Sequence, residues 1–210
     1  MRFMVGLPQT ENAFVDCILE NRERIYEVYF SWGDFANGRS NQLMGEGYTA
    51  WELQKRQVEA LSKLSAAGIA LNLLFNADCY GRESQSRAFF HKIGTTVDYI
   101  KTTFGLASVT TTSPLIAKFL KENFTEMEVR ASVNMEIGTV QGMEYLSGYF
   151  DSYYIQREYN RDFDRIRELK AWSDMHGKKL FLLANSGCLN HCSARHFHDT
   201  LVAHESEIAE

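Results

Sequence analysis

The sequence predicts an α/β fold of the (β/α) barrel type, a TIM-like barrel with seven βα units, open or stopping before its eighth, as a single domain over residues 1–210. Three observations predict it. Seven apolar runs of strand length recur along the 210 residues, each followed by sequence of helical periodicity, and such alternation builds a parallel sheet covered by helices. The turn after the first run, Gly6-Leu7-Pro8-Gln9-Thr10, lacks the glycine-rich phosphate turn that a doubly wound sheet usually carries there. A closed barrel typically needs about 250 residues, and the ending Ala203-His204-Glu205-Ser206-Glu207-Ile208-Ala209-Glu210 offers no eighth strand. No repeat, low-complexity tract or Pro/Gly/Ser-rich linker marks a second domain.

The first strand candidate runs from Arg2 to Leu7. Thr10 is placed to cap the helix behind it, with Phe14, Cys17, Ile18 and Ile25 on its apolar side, so Cys17 reads as packing. The second strand, Tyr26 to Trp32, runs into Gly33-Asp34. The third, Ile69 to Asn76, opens into Ala77-Asp78-Cys79-Tyr80-Gly81. The fourth, Ala107 to Thr112, is followed by Ser113-Pro114, an N-cap residue with proline at the first helical position. The fifth spans Glu128 to Asn134 and leads to Met135-Glu136; Arg130 lies near its start, at the end opposite the mouth, where structural roles dominate. The sixth, Ser152 to Gln156, leads to Arg157-Glu158-Tyr159-Asn160. Asn160 is the expected cap of a helix with Phe163, Ile166, Leu169 and Trp172 inward, and Gly177 ends it. The seventh, Lys179 to Asn185, opens into a segment rich in cysteine and histidine.

Composition narrows the function classes. An apolar content of 45% supports a sizeable core. No run approaches the roughly 18 consecutive apolar residues of a membrane span, and the apolar start of the chain is cut short by Pro8, unlike a secretory leader. The expectation is a cytoplasmic protein. Four unevenly spaced cysteines then read as free thiols or ligands rather than a disulfide framework. A net charge of -5 argues against a broad nucleic-acid footprint.

Barrel enzymes work at the C-terminal ends of their strands, which makes the residues there the candidates. If residues 188 to 199 turn helical, Cys188, Cys192 and His196 recur at i, i+4 and i+8 and share one face. A helix start favours thiolate over thiol, and zinc or an iron–sulfur cluster uses such ligands. Cys79 ends the third strand and belongs to the same mouth. The bland alternative is that the cysteines are small buried hydrophobes and the histidines a solvated face. Asn76, Asn134 and Asn185 are candidates to orient substrate, although asparagine commonly just closes a strand by bonding its own turn. Arg157 suits a bidentate grip on carboxylate or phosphate, or a structural ion pair with Asp151 or Glu158. Glu136 and Asp78 suit acid–base work if buried.

Taken in order, Leu71-Asn72-Leu73-Leu74-Phe75-Asn76, Ser108-Val109-Thr110-Thr111-Thr112-Ser113-Pro114, Val129-Arg130-Ala131-Ser132-Val133-Asn134, Tyr154-Ile155-Gln156-Arg157-Glu158 and Asn185-Ser186-Gly187-Cys188-Leu189-Asn190-His191-Cys192 resemble the peptidase U-32 family of collagenase-like proteins. The resemblance covers roughly residues 66 to 205. It implies a barrel of the TIM type and an activity among those described for the family, which includes peptidases, RNA-hydroxylation enzymes and ubiquinone-hydroxylation proteins carrying a [4Fe–4S] cluster on four cysteines. Cys188 and Cys192 match the closely spaced pair of the cluster-binding members. The match is incomplete: Cys79 is the one further cysteine available at the mouth, so a cluster would draw on His196, another chain or further residues. There is also no HExxH or GxSxG motif.

Three readings follow. The first is an iron–sulfur enzyme for oxidative or hydroxylation-type modification of an RNA or small-molecule substrate, with Cys79, Cys188 and Cys192 as ligands. The second is a zinc-dependent hydrolase or peptidase in which His196 or His198 completes the sphere and a bound water is activated. The third is a non-catalytic binding subunit whose site or barrel is completed by a partner chain or oligomer.

Overall fold

The computed structural model describes residues 2–8, 12–33, 35–38 and 51–204. Seven strands form one fully parallel sheet in chain order: β1 (Phe3–Gly6), β2 (Ile25–Phe30), β3 (Ala70–Phe75), β4 (Leu106–Thr111), β5 (Glu128–Ala131), β6 (Ser152–Tyr154) and β7 (Lys179–Phe181). Between and after them lie α1 (Asn12–Glu20), α2 (Trp51–Ala66), α3 (Arg87–Phe104), α4 (Pro114–Asn123), α5 (Val140–Tyr145), α6 (Phe163–Met175) and α7 (Arg195–Ala203). The sheet curls with its helices outside. Its outer strands β1 and β7 do not pair, so it is a TIM-like half-barrel of seven units rather than a closed one. No described helix is long and apolar enough to cross a membrane.

Strand alternation sorts the side chains onto two faces. Val28, Phe30, Leu71, Leu73, Phe75, Val109, Val129, Ala131 and Tyr153 point outward and pack beneath Ile18, Leu61, Leu64, Ile93, Val97, Ile100, Ile116, Leu120 and Leu169 of the helices. This layer between sheet and helices is the hydrophobic core. The concave face is different in kind. Parallel register sets Tyr29 beside Asn72, Asn72 beside Ser108, Thr110 beside Arg130, and Arg130 beside Ser152.

Closed barrels fill that interior mainly with branched apolar side chains; here its centre is a hydrogen-bonded polar network, with Leu74 and Phe181 among its apolar neighbours. Arg130, 1% exposed, donates from Nη1 and Nη2 to the two carboxylate oxygens of Glu27, each at 2.7 Å, and from Nε to Glu128 at 2.9 Å. Ser108 donates to Glu27 at 3.4 Å, Asn72 to Ser108 at 2.7 Å, and Thr110 to Asn72 at 3.0 Å. Arg130 spans the curl from β5 to β2 and lies over the Phe181 ring, 4.7 Å from its centroid. It braces the interior structurally.

Local departures from the sequence reading have physical causes. β5, β6 and β7 stop at Ala131, Tyr154 and Phe181 instead of reaching Asn134, Gln156 and Asn185, and the remaining residues form the loops at the mouth. Helix α7 starts at Arg195, not near Cys188. His191 has φ 55°, a left-handed conformation that interrupts a right-handed helix, so Cys188 and Cys192 do not lie on one helical face with His196. Cys17 is exposed: α1 turns Val15 and Ile18 inward and leaves Cys17 on its outer side. The cap of α6 is Asp162, which accepts from the Arg165 N–H at 3.0 Å, while Asn160 donates instead to the Leu183 carbonyl at 2.6 Å. Ser113 and Gly177 behave as expected. The Ser113 hydroxyl accepts from the Ile116 N–H at the start of α4, and Gly177, at φ 63°, closes the turn after α6. Thr10 lies outside the described residues.

Candidate functional site

The ends of the strands open into a cleft of about 400 Å³. Its floor is the top layer of the concave face, Tyr29, Leu74, Thr110 and Tyr154, and its walls are the loops that follow β2, β3, β5, β6 and β7. Asn76, Asn134, Arg157 and Asn185 all line it. Four residues that the sequence separates by up to 109 positions (185 minus 76) therefore share one cavity.

Hydrogen bonds connect three of them in a chain. The Gly38 N–H donates to Asn76 Oδ1 at 3.1 Å; Asn134 Nδ2 donates to the Asn76 carbonyl at 3.1 Å; Arg157 Nη2 donates to Asn134 Oδ1 at 2.6 Å. Asn134 is held from below by its own turn, where the Ser132 hydroxyl accepts from its N–H at 3.2 Å. Arg157 Nη1 makes only a long bond of 3.4 Å to the exposed Ser186 hydroxyl. Neither expected ion pair of Arg157 forms, because Asp151 is taken by Lys121 at 2.9 Å and Glu158 by Arg195 at 2.7 Å.

A second cluster flanks the cleft. Helix α7 is fastened over the strand ends by its first two residues. Arg195, 8% exposed, forms ion pairs with Glu136 and Glu158. His196 is more exposed and places Nε2 3.2 Å from Glu136 and Nδ1 3.6 Å from Asp78. Glu136 adopts φ 52°, a strained conformation for a residue with a Cβ, and so presents its carboxylate to both α7 residues. Asp78 is mostly buried and its Oδ1 has no partner. Burial pushes the Asp78 carboxyl above the ordinary aspartate range and Asp199 adds to the effect, while His196 and Arg157 pull the other way.

Among the described residues no group of three or more His, Cys, Asp or Glu side chains is arranged to hold a metal ion. Cys188 is exposed in the irregular segment before α7, with its N–H bonded to the Ser186 hydroxyl at 3.2 Å. Cys79 is half-buried and its sulfur accepts from the Gly81 N–H at 3.4 Å. Cys79, Cys188, Cys192 and His196 are thus not brought together as one ligand sphere, and His196 is engaged with two carboxylates instead. The donor set fits neither a four-thiolate cluster nor a tetrahedral zinc site.

Sequence reading missed Arg195, Glu158 as its partner, and Gly38. One signal for the first was available: an arginine at the start of a helix opposes the helix dipole and so calls for carboxylate partners. Glu158 gave no comparable signal, since its partner lies 37 residues away.

No model of a known protein family matches the sequence, and neither does any curated protein. Similarity appears among solved structures, at the level of fold. A structure of the U32 peptidase Mk0906 superposes with a TM-score of 0.75 at 13% identity, covering 100% of this chain and 78% of that one. A phosphodiesterase of Oleispira antarctica, solved with its product sn-glycerol-3-phosphate, gives a TM-score of 0.57 at 15% identity over 100% and 97% of the two chains. Muconate lactonizing enzyme from Pseudomonas putida gives 0.55 at 15% identity, over 94% of this chain and 51% of that one. The fold is therefore U32 peptidase-like and shared with other barrel enzymes.

Proposed function

We propose that this chain is a U32 peptidase-like barrel enzyme that hydrolyses a small amide or peptide substrate in the cleft at its strand ends. The observation that carries the reading is that Asn76, Asn134, Arg157 and Asn185, from separate strand ends, meet in one cavity beside a buried carboxyl. Barrel enzymes assemble their sites in this way. The asparagines and Arg157 orient the substrate, and Asp78, which flanks the cleft without lining it and whose burial favours its protonated form, supplies the proton through one bridging water. Water adds to the carbonyl carbon, the C–N bond breaks, Asp78 protonates the leaving nitrogen, and the attacking water returns a proton to Asp78. Glu136 and His196 hold the neighbouring charges in place. The iron–sulfur and zinc readings require ligands beyond those the described residues bring together, and hydrolysis by this scheme draws only on residues present. An extended RNA strand is a poorer fit than a peptide to a cleft of about 400 Å³.

A panel of N-acyl dipeptides and aminoacyl amides, assayed for released amine with wild type and Asp78→Asn, tests the proposal. Wild type is expected to turn over at least one class of panel member, and Asp78→Asn to lose roughly 10²–10⁴-fold in rate, the usual contribution of a general acid. Binding without turnover by wild type would turn the reading to the non-catalytic one. Full activity of Asp78→Asn would remove Asp78 from it.

A further inference from the structure

We propose that the cleft seats a single carboxylate of its substrate on Arg157, with Gly38, Asn76 and Asn134 as the positioning residues that aim the guanidinium. The inference deepens the functional reading above and rests on the cleft being the substrate site.

Charge gives the sign of the ligand. Of the described residues lining the cleft, Arg157 alone carries a formal charge; the others are amides, hydroxyls, glycines and apolar groups. An arginine presents five N–H donors in a fixed fork, and among the described residues two bonds are made here, one of them the long contact to Ser186. The Nη edge therefore retains donors for two carboxylate oxygens, with Ser186 the readily displaced partner.

Charge also gives the ligand's valence. One guanidinium matches a monoanion. Asp78, Glu136, Glu158 and Asp199 crowd the same mouth, with Arg195 and His196 already spent on Glu136, Glu158 and Asp78. A phosphate dianion would meet that acidic surround without a second cation among the described lining residues, whereas a carboxylate asks for one positive charge only.

The aim of the fork is built rather than incidental. Arg157 is fixed by Asn134, Asn134 by the Asn76 carbonyl, and Asn76 by the Gly38 N–H, so segments after β2, β3 and β5 jointly fix a residue after β6. Gly38 is required at that spot by contact. A Cβ there would lie 2.9 Å from Asn134 Nδ2 and 3.0 Å from the Asn76 carbonyl oxygen, forcing the Asn134 amide to move.

The experiment is a titration of the isotopically labelled protein followed by NMR, with N-acetylglycine, its neutral analogue N-acetylglycinamide, and inorganic phosphate as probes at pH 7. N-acetylglycine is expected to shift the resonances of Asn76, Asn134 and Gly187 and to bind at least tenfold more tightly than the amide or phosphate. Arg157→Lys should reduce that preference at least fivefold. Gly38→Ala should bring acid and amide close to equal with the resonances of the sheet and helices away from the cleft unshifted, a selectivity change that a general loss of folding would not produce. Equal binding of acid and amide in the cleft would overturn the carboxylate seat and leave the cleft as the substrate site. Tighter binding of phosphate would overturn it too, and an absence of any shift at the cleft with all three probes would remove both readings.

Discussion

Removing Glu27 takes the two-pronged partner from a guanidinium that water does not reach and leaves it only the single Nε bond to Glu128. Arg130 is 1% exposed and Glu27 0%, and the two share a pair of 2.7 Å bonds. Breaking a buried pair from one side typically costs about 3–5 kcal/mol, because the remaining charge is left uncompensated. Against a total stability of roughly 5–15 kcal/mol, that is a large fraction. In a domain of this size it corresponds to a fall in Tm of about 6–20 °C, taking 2–4 °C per kcal/mol. The two halves of the pair should also differ. Glu27→Gln leaves no carboxyl to titrate at that position and keeps Arg130 charged at every accessible pH, so the stability of this variant takes no pH dependence from the pair. Arg130→Met leaves Glu27, whose carboxyl burial already pushes upward. Its folded pKa then lies above the unfolded value, so the compensating stability is present at low pH and lost as pH rises through the folded pKa. Arg130→Met should therefore cost less at pH 5 than at pH 8. Urea unfolding of both variants and of Glu27→Gln/Arg130→Met across that range measures this. The double variant should recover at least half of the single-variant loss, since no lone charge remains. Single variants costing under about 1 kcal/mol, or a double variant as unstable as the worse single, would refute the reasoning.

Two further outcomes follow from the mouth. Asp78→Asn should stabilise the protein at neutral pH. The wild-type carboxyl, raised by burial, contributes stability below its unfolded pKa that is lost as pH rises through the folded pKa, and the amide removes that loss; thermal melts from pH 4 to 8 that stay parallel for the two proteins would contradict this. Arg195→Gln should leave Glu158, whose side chain is 3% exposed, without its cation and cost roughly 1–3 kcal/mol or somewhat more. Hydrogen exchange should then lose protection selectively at Arg195–Ala203, and uniform protection across the sheet and α7 would show that the helix is held by other means.

What the sequence made legible follows from the range of the interactions involved. The seven strands were readable because period-2 burial and the βα alternation are local patterns, and the strand-end residues Asn76, Asn134, Arg157 and Asn185 were identified once a barrel fixed which ends face the same way. The cysteines were misplaced for an equally local reason. An i, i+4 spacing signals a shared face only inside a helix, and the left-handed His191 keeps residues 188–192 out of one. Cys17 was assigned inward on a stripe that, one position over, is carried by Val15 and Ile18. The pairs that organise the site were beyond reach because their partners lie far apart in the chain: Arg130 with Glu27 across 103 residues, and Arg157 with Asn134 across 23. No local preference of arginine identifies such a carboxylate or amide.

The polar interior reaches the floor of the cleft through one line of hydrogen bonds. Glu27 accepts from Ser108, Ser108 from Asn72, and Asn72 Oδ1 from Thr110, whose side chain is part of the cleft floor. Each hydroxyl and amide in that line has its orientation fixed by the one below, ending at a carboxylate clamped by Arg130. In a closed barrel, interlocking apolar layers would support the floor. This curl leaves β1 and β7 each with a strand partner on one side only among the described residues, so the same work falls to directional bonds between neighbouring strands. A polar interior is thus a consistent solution for an open half-barrel that must still present a shaped cavity at its strand ends.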